Sequence, residues 1–158
     1  MEVNRTGAYL LILFNPKKQP VRIGKLGKIN FLRGYYFYVG SGMKNLEQRV
    51  LRHKRKQKKI RWHIDYLTKR FQFVDAKLFP SSRKLECQIA KILAQKFKII
   101  KGFGCSDCRC QSHLFYLDRL FGKNLNRILC SMPSFHAIPT VINSTKTKNL
   151  TIANSLLY

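Results

Sequence analysis

Gly34-Tyr35-Tyr36-Phe37-Tyr38-Val39-Gly40-Ser41-Gly42 is the stretch on which the fold turns. Tyr35 to Val39 are all aromatic or β-branched, which suits a pleated, half-buried strand, and the Gly-Ser-Gly that follows ends it. Just downstream, Asn45 stands where a helix N-cap belongs. Leu46, Val50 and Leu51 mark the apolar side of a helix that runs to about Arg55. Upstream, Ala8 to Phe14 is an apolar run that reads as another strand, closed by a turn at Asn15-Pro16-Lys17. Val21 to Leu26 is a shorter strand candidate, broken by Gly27-Lys28. The expected order is an antiparallel meander running into a helix.

Further along, a basic linker leads to a second, shorter helix within Ile60 to Arg70. Phe71 to Phe79 alternates as a strand does. Pro80-Ser81-Ser82 is a stop, with Ser82 placed to cap a helix from Arg83 to Phe97. In that helix Leu85, Ile89, Ile92 and Leu93 share one face, and Lys84, Gln88, Lys91 and Gln95 lie opposite. His113 to Leu117 reads as a last short strand. The chain thus divides into a domain over residues 1–122 and a weakly patterned tail over 123–158, to which no function is assigned.

Composition narrows the partners. Lys and Arg number 31 against 7 acids, for a formal net charge of +24. A surface so charged repels itself unless a polyanion neutralises it, and nucleic acid does so with release of counterions. DNA is the expected partner, with RNA left open. No apolar run is long enough to cross a bilayer and no signal-peptide pattern opens the chain, so a membrane role is not expected. Nothing points to a small-molecule substrate. The 5 cysteines are odd in number, which fits reduced thiols in a cytoplasmic, intracellular protein better than a disulfide framework.

With so few acids, each is informative. Glu86 falls at the edge of its helix's apolar stripe, beside Leu93 and Phe97. Burial favours the neutral acid unless a cation sits opposite. One carboxylate suffices for Mg²⁺, which completes its shell with waters and substrate phosphates. The competing reading is a buried ion pair with Arg or Lys. Arg49 and His53, four apart, share a helix face. An arginine fork matches two phosphate oxygens, and a histidine beside it can position or protonate one. The competing reading is a solvated basic helix. Arg52, Arg55, Lys58 and Lys59 fit either that solvated face or phosphate grips that carry no sequence information. Tyr9 and Tyr38 stand on strands that can neighbour each other, where a phenol hands off protons or simply packs.

The motifs combine into a resemblance. Gly7-Ala8-Tyr9 and Tyr38-Val39-Gly40 resemble the two signature triplets of the GIY-YIG nucleases. The run from the second triplet through Leu46 and Arg49 to His53, and a later helix carrying Glu86, resemble the rest of that pattern. A branch of the class, sometimes fused to DNA glycosylases of the endonuclease III type, is similar over about residues 5–118. That likeness lies in Trp62-His63-Ile64-Asp65-Tyr66-Leu67, in Glu86-Cys87 and in Gly102-Phe103-Gly104-Cys105-Ser106-Asp107-Cys108 through His113. The resemblance implies an α+β sandwich with a small central antiparallel three-stranded sheet flanked by helices. It implies DNA endonuclease activity in a repair setting, with a non-catalytic binding module as the alternative. Tyr9 would activate or orient the attacking water, supported by Tyr38. Arg49 would hold the phosphate, and Glu86 would bind one Mg²⁺ or Mn²⁺. Gly7 and Gly40 would serve as structural turns, Gly40 letting the backbone approach substrate. The long gap between the triplets implies an extra hairpin over residues 15–34, from which Lys25 could reach the site. His63 is either a second proton carrier or part of a packed segment; for Asp65, local hydrogen bonding is favoured.

Cys105, Cys108, Cys110 and His113 form a further cluster. They could hold zinc, but one short loop supplying all four ligands would be cramped, and packed reduced thiols are the favoured reading over zinc.

Overall fold

The computed structural model describes residues 5–119. The expected tail over 123–158, the boundary at 122 and Cys130 lie outside the described residues. Strands β1 (Gly7–Asn15), β4 (Gly34–Ser41), β5 (Gln72–Pro80), β6 (Lys98–Ile99) and β7 (Leu114–Leu117) form one sheet in the order β5-β1-β4-β7-β6. Every pairing in it is antiparallel. The sheet therefore has five strands, not the expected three. β6 escapes a sequence reading because it is only two residues long. β5 and β7 are added by pairings between segments far apart in the chain.

Among the described residues, β2 (Gln19–Ile23) and β3 (Gly27–Phe31) pair only with each other. They are the inserted hairpin expected over residues 15–34. The meander expectation is corrected, because β1 pairs directly with β4 and the hairpin stands apart from the main sheet. Gly27 is not a break but the first residue of β3, with a positive φ of 75° that glycine adopts without strain.

β1 is buried along nearly its whole length, which explains its uninterrupted apolar sequence. Its side chains alternate between two cores. On one face Tyr9, Leu11 and Leu13 join Tyr36 and Tyr38 of β4. They pack against Leu46 and Val50 of helix α1 (Leu46–Lys54), Ile64 and Leu67 of helix α2 (His63–Thr68), and Val21, Ile23 and Phe31 of the hairpin. On the other face Ala8, Leu10 and Ile12 join Phe37 and Val39 under Ile89, Ala90 and Leu93 of helix α3 (Glu86–Ala94). Among the described residues the result is a mixed α/β sandwich with three α-helices around the sheet.

Local chemistry sets the helix limits. The Asn45 side chain accepts from the Gln48 amide at 2.9 Å, as an N-cap does. α2 is shorter than its sequence pattern, and so is α3. Ser82 does not cap α3, whose N-cap position is Leu85 with no side-chain bond, while the Ser81 hydroxyl accepts from the Arg83 amide. The register of β5 slips between Ile12 and Leu13, leaving Val74 as an extra, exposed residue. That bulge is why the alternation over Phe71 to Phe79 is imperfect. No helix among the described residues is long and apolar enough to cross a membrane.

Phe71 is fully buried and packs edge-on to Phe31 and tilted against Tyr36, tying α2's exit to the hairpin and the sheet. Phe71→Ala should therefore cost about 3–5 kcal/mol of folding stability. It should appear in urea melts as a lowered midpoint with an unchanged slope.

Candidate active site and metal cluster

An open cleft of about 570 Å³ lies beside the Val39–Ser41 end of β4. Tyr9 reaches it from β1, Tyr38 from β4, Arg49 from α1, His63 from the start of α2 and Glu86 from the start of α3. The ladder places the two phenols. Tyr9 faces Gly40 and Leu11 faces Tyr38, so the tyrosines are diagonal neighbours on one face with ring centroids 6.4 Å apart. Gly40 lies within the strand and is not the expected turn. A methyl group there would sit 2.3 Å from the Tyr9 hydroxyl, so the glycine makes room for the ring. Gly7 opens β1 at φ 144°, against the backbone of Phe79.

Behind Tyr9 is a polar chain. The Tyr9 hydroxyl lies 2.8 Å from Nε2 of buried His53. Nδ1 of His53 faces Oδ1 of Asp65 at 3.6 Å, too long for a good hydrogen bond but close enough for strong electrostatic coupling. Asp65 is fully buried. It takes a two-pronged bond from Arg52 at 2.8 and 2.9 Å and accepts from the Arg61 and Trp62 amides at the start of α2. Burial alone would raise the Asp65 pKa, but His53, the Arg52 fork and the two amides outweigh it and hold the carboxyl well below the usual carboxylate range.

The neighbours are held neutral. Burial pulls the His53 pKa below its ordinary value, with Asp65 opposing. Burial lifts the Tyr9 pKa well above that of a free phenol, helped by Tyr38 and opposed by Arg49. Tyr38 is also raised, by burial and then by Asp65 and Asp107. At neutral pH the site therefore holds two phenols and an imidazole next to one fixed anion. His63 is kept neutral by partial burial, and its Nδ1 accepts from the Gly104 amide at 3.2 Å. The neutral ring's proton is then on Nε2.

The basic residues separate by role. The Arg49 guanidinium stacks over the Trp62 ring, 4.3 Å from its centroid, and has no hydrogen-bond acceptor among the described residues. It lines the cleft. Arg52 also lies over Trp62, at 4.4 Å, but its fork is occupied by Asp65 and the Lys59 carbonyl. Lys58 donates to the His53 carbonyl at 2.8 Å, closing the end of α1, and burial pulls its pKa down to about 8. Arg55, Lys59 and Lys25 are exposed. Lys25 sits on the short turn between β2 and β3 and does not line the cleft.

Glu86 has one carboxylate oxygen, Oε2, that is buried and has no hydrogen-bond partner among the described residues. A buried acceptor left without a donor is costly, and a hard divalent cation would satisfy it. The residues present therefore fit one Mg²⁺ or Mn²⁺ at Glu86.

Next to Glu86 is a different donor set. Cys87, Cys108, Cys110 and His113 bring their ligand atoms within 4.8 Å of one another. The sequence expectation named Cys105 in place of Cys87. Cys105 instead directs its thiol toward the Gln111 carbonyl at 3.8 Å. The fourth donor comes from α3, which removes the cramping expected of a single loop. Burial, with the Cys110 and Cys108 thiols, pushes the Cys87 pKa up to about 12. Soft sulfur and imidazole donors do not suit Mg²⁺.

The model of a family described as Domain of unknown function DUF123 matches residues 8–132. The chain belongs to that family. No curated protein and no solved structure matches it. The matched span contains every residue of the cleft and of the cysteine cluster.

Two residues were under-read in the sequence. Asp65 does make the local bonds expected of it, but it also anchors Arg52 and faces His53. Its scarcity as one of 7 acids was the available signal. Cys87 lay 18 or more positions from the other thiols, and only folding brings it to them.

A carboxylate depressed by folding adds stability that is complete above its unfolded value, about 4, and is lost as pH falls toward its folded value. Asp65→Asn should cost about 3 kcal/mol at neutral pH, because Arg52 loses its partner. The gap between wild type and variant should narrow below about pH 4. Denaturant melts across pH would check it, and a gap that widened with acid would contradict the assignment.

Proposed function

We propose that this chain is a metal-dependent endonuclease of the GIY-YIG type that hydrolyses phosphodiester bonds in DNA. The observation that carries the reading is the orphaned Oε2 of Glu86 in a cleft also lined by Tyr9, Tyr38, Arg49 and His63. Support comes from the signature triplets, which the β1–β4 register sets side by side, and from a net charge of +24 that suits a polyanionic substrate. A DNA-repair role belongs to the same proposal.

The chemistry assigns a task to each group. A divalent cation at Glu86 would supply Lewis acidity to stabilise charge on the phosphate and the leaving oxygen. Arg49, held flat by Trp62, presents its fork to the phosphate and offsets the charge that develops at phosphorus. Tyr9 is a relay and not a phenolate, because burial keeps its proton on. It accepts a proton from the attacking water as its own passes to Nε2 of His53. The imidazolium so formed is stabilised by Asp65. The water oxygen bonds to phosphorus as the bond to the leaving oxygen breaks. His63, neutral and carrying its proton on Nε2 at the cleft wall, donates a hydrogen bond that steadies the leaving oxygen, which takes its proton from solvent while the water's proton stays on His53 until it too passes to solvent.

Cleavage of nicked, branched, abasic and single-stranded DNA should be assayed with Mg²⁺ or Mn²⁺ and with EDTA. Glu86→Ala should lower cleavage at least about a hundredfold with near-normal binding. Arg49→Ala should weaken both, cleavage far more. Affinity should fall steeply with salt. If the wild type binds all four DNAs with either metal and cuts none, the fold serves as a non-catalytic binding module.

A further inference from the structure

Cys87, Cys108, Cys110 and His113 meet from two separate elements, the first turn of α3 and the loop that leads into β7. We infer that they form a structural zinc site that pins the start of α3, and with it Glu86, to the loop that also lines the cleft. The donor set is the Cys₃His type that closed tetrahedral zinc sites use. The metal site stands whether or not the cleft cuts DNA.

Three features support it. The first is spacing. Zinc bonds of about 2.3 Å to sulfur and about 2.0 Å to nitrogen give tetrahedral edges of about 3.5 Å between S and N and about 3.8 Å between sulfurs. Nε2 of His113 lies 3.4 Å from the Cys108 sulfur and 3.9 Å from that of Cys87, on either side of that value. No pair of the four ligand atoms exceeds 4.8 Å, a span that small thiol rotations close.

The second is the orientation of the imidazole. His113 is buried, and its Nδ1 donates to the Val39 carbonyl at 3.1 Å. This bond leaves the Nε2 lone pair facing the sulfurs, the arrangement that metal-bound histidines use. The backbone of His113 is held as firmly. Its carbonyl accepts from the Val39 amide at 3.0 Å, and its amide donates to the Phe103 carbonyl at 2.8 Å. The ring is thus fixed to a central strand of the sheet before any ion arrives.

The third is charge. Three thiolates and a neutral imidazole around Zn²⁺ leave a net charge of −1, and binding sends three thiol protons to solvent. Lys91 lies one turn along α3 from Cys87. The cysteine loop carries Asp107 and Gly104 at the cleft, and the Gly104 amide holds His63.

Full-length protein should be purified under reducing conditions without added zinc, and its metal content measured. One zinc per chain is expected. Cys108→Ser and Cys87→Ser should each lower that content about tenfold or more. Cys105→Ser, whose thiol lies outside the set, should retain it. Zinc-edge X-ray absorption on the wild type requires no variant to fold, and should give a shell of about three sulfurs and one nitrogen. Chelation should lower the thermal midpoint of the wild type. A metal-free wild type that takes up no zinc when reduced overturns the inference, as does a shell of oxygen and nitrogen alone. Loss of zinc in Cys105→Ser with retention in Cys108→Ser would do so too. DNA cleavage enters none of these measurements.

Discussion

The antiparallel ladder between β1 and β4 is the constraint on which the rest depends. It sets Tyr9 opposite Gly40 and Tyr38 opposite Leu11. A slip of β1 by one residue against β4 would turn every β1 side chain to the other face. Tyr9 would then leave Tyr38 and the cleft for the core under α3, while Ala8 and Leu10 would face α1 and α2. Burial on both faces makes such a slip costly. The absence of a side chain at Gly40 completes the arrangement, because Tyr9 lies across the position where a Cβ would be.

On that frame, a very basic chain organises itself around a few carboxylates. Asp65 fixes Arg52 and the start of α2 and faces His53, so one buried anion links two helices. His53 passes the link to Tyr9. Arg49 and Arg52 both lie over the Trp62 ring but differ in what their forks meet. One is held by an internal acid, and the other has no acceptor among the described residues and lines the cleft. The same residue type on the same helix thus serves structure in one place and is available to an external anion in the other.

Hard and soft chemistry meet at Glu86 and Cys87. These adjacent residues leave the first turn of α3 toward different surroundings: an unpartnered oxygen in the cleft, and a group of sulfurs with an imidazole. A carboxylate suits Mg²⁺ or Mn²⁺, and thiolates suit zinc. The two donor sets therefore need not compete for one ion. Their adjacency links the position of the proposed catalytic acid to the packing of the cysteine loop.

Much of this was legible in the sequence. The apolar run of β1, the aromatic run of β4, the Asn45 cap and the stripe on α3 each reflect interactions a few residues in range, so local pattern determined them. The edge position of Glu86 was readable for the same reason, whereas the inserted hairpin was expected only from the long gap between the two triplets. Other features required contacts between distant segments. β5, β6 and β7 completed the sheet through such pairings, and the bulge at Val74 blurred the one alternation that hinted at β5. Gly40 read as a turn because its neighbours are Ser and Gly, whereas its role is set by a ring on another strand. Arg52 read as a surface cation until Asp65 was placed beneath it. Cys87 replaced Cys105 in the cluster because α3 lies across the loop. Local propensity and periodicity specify elements, but which side chains share a cavity depends on register and packing, and these are settled only when the whole chain closes.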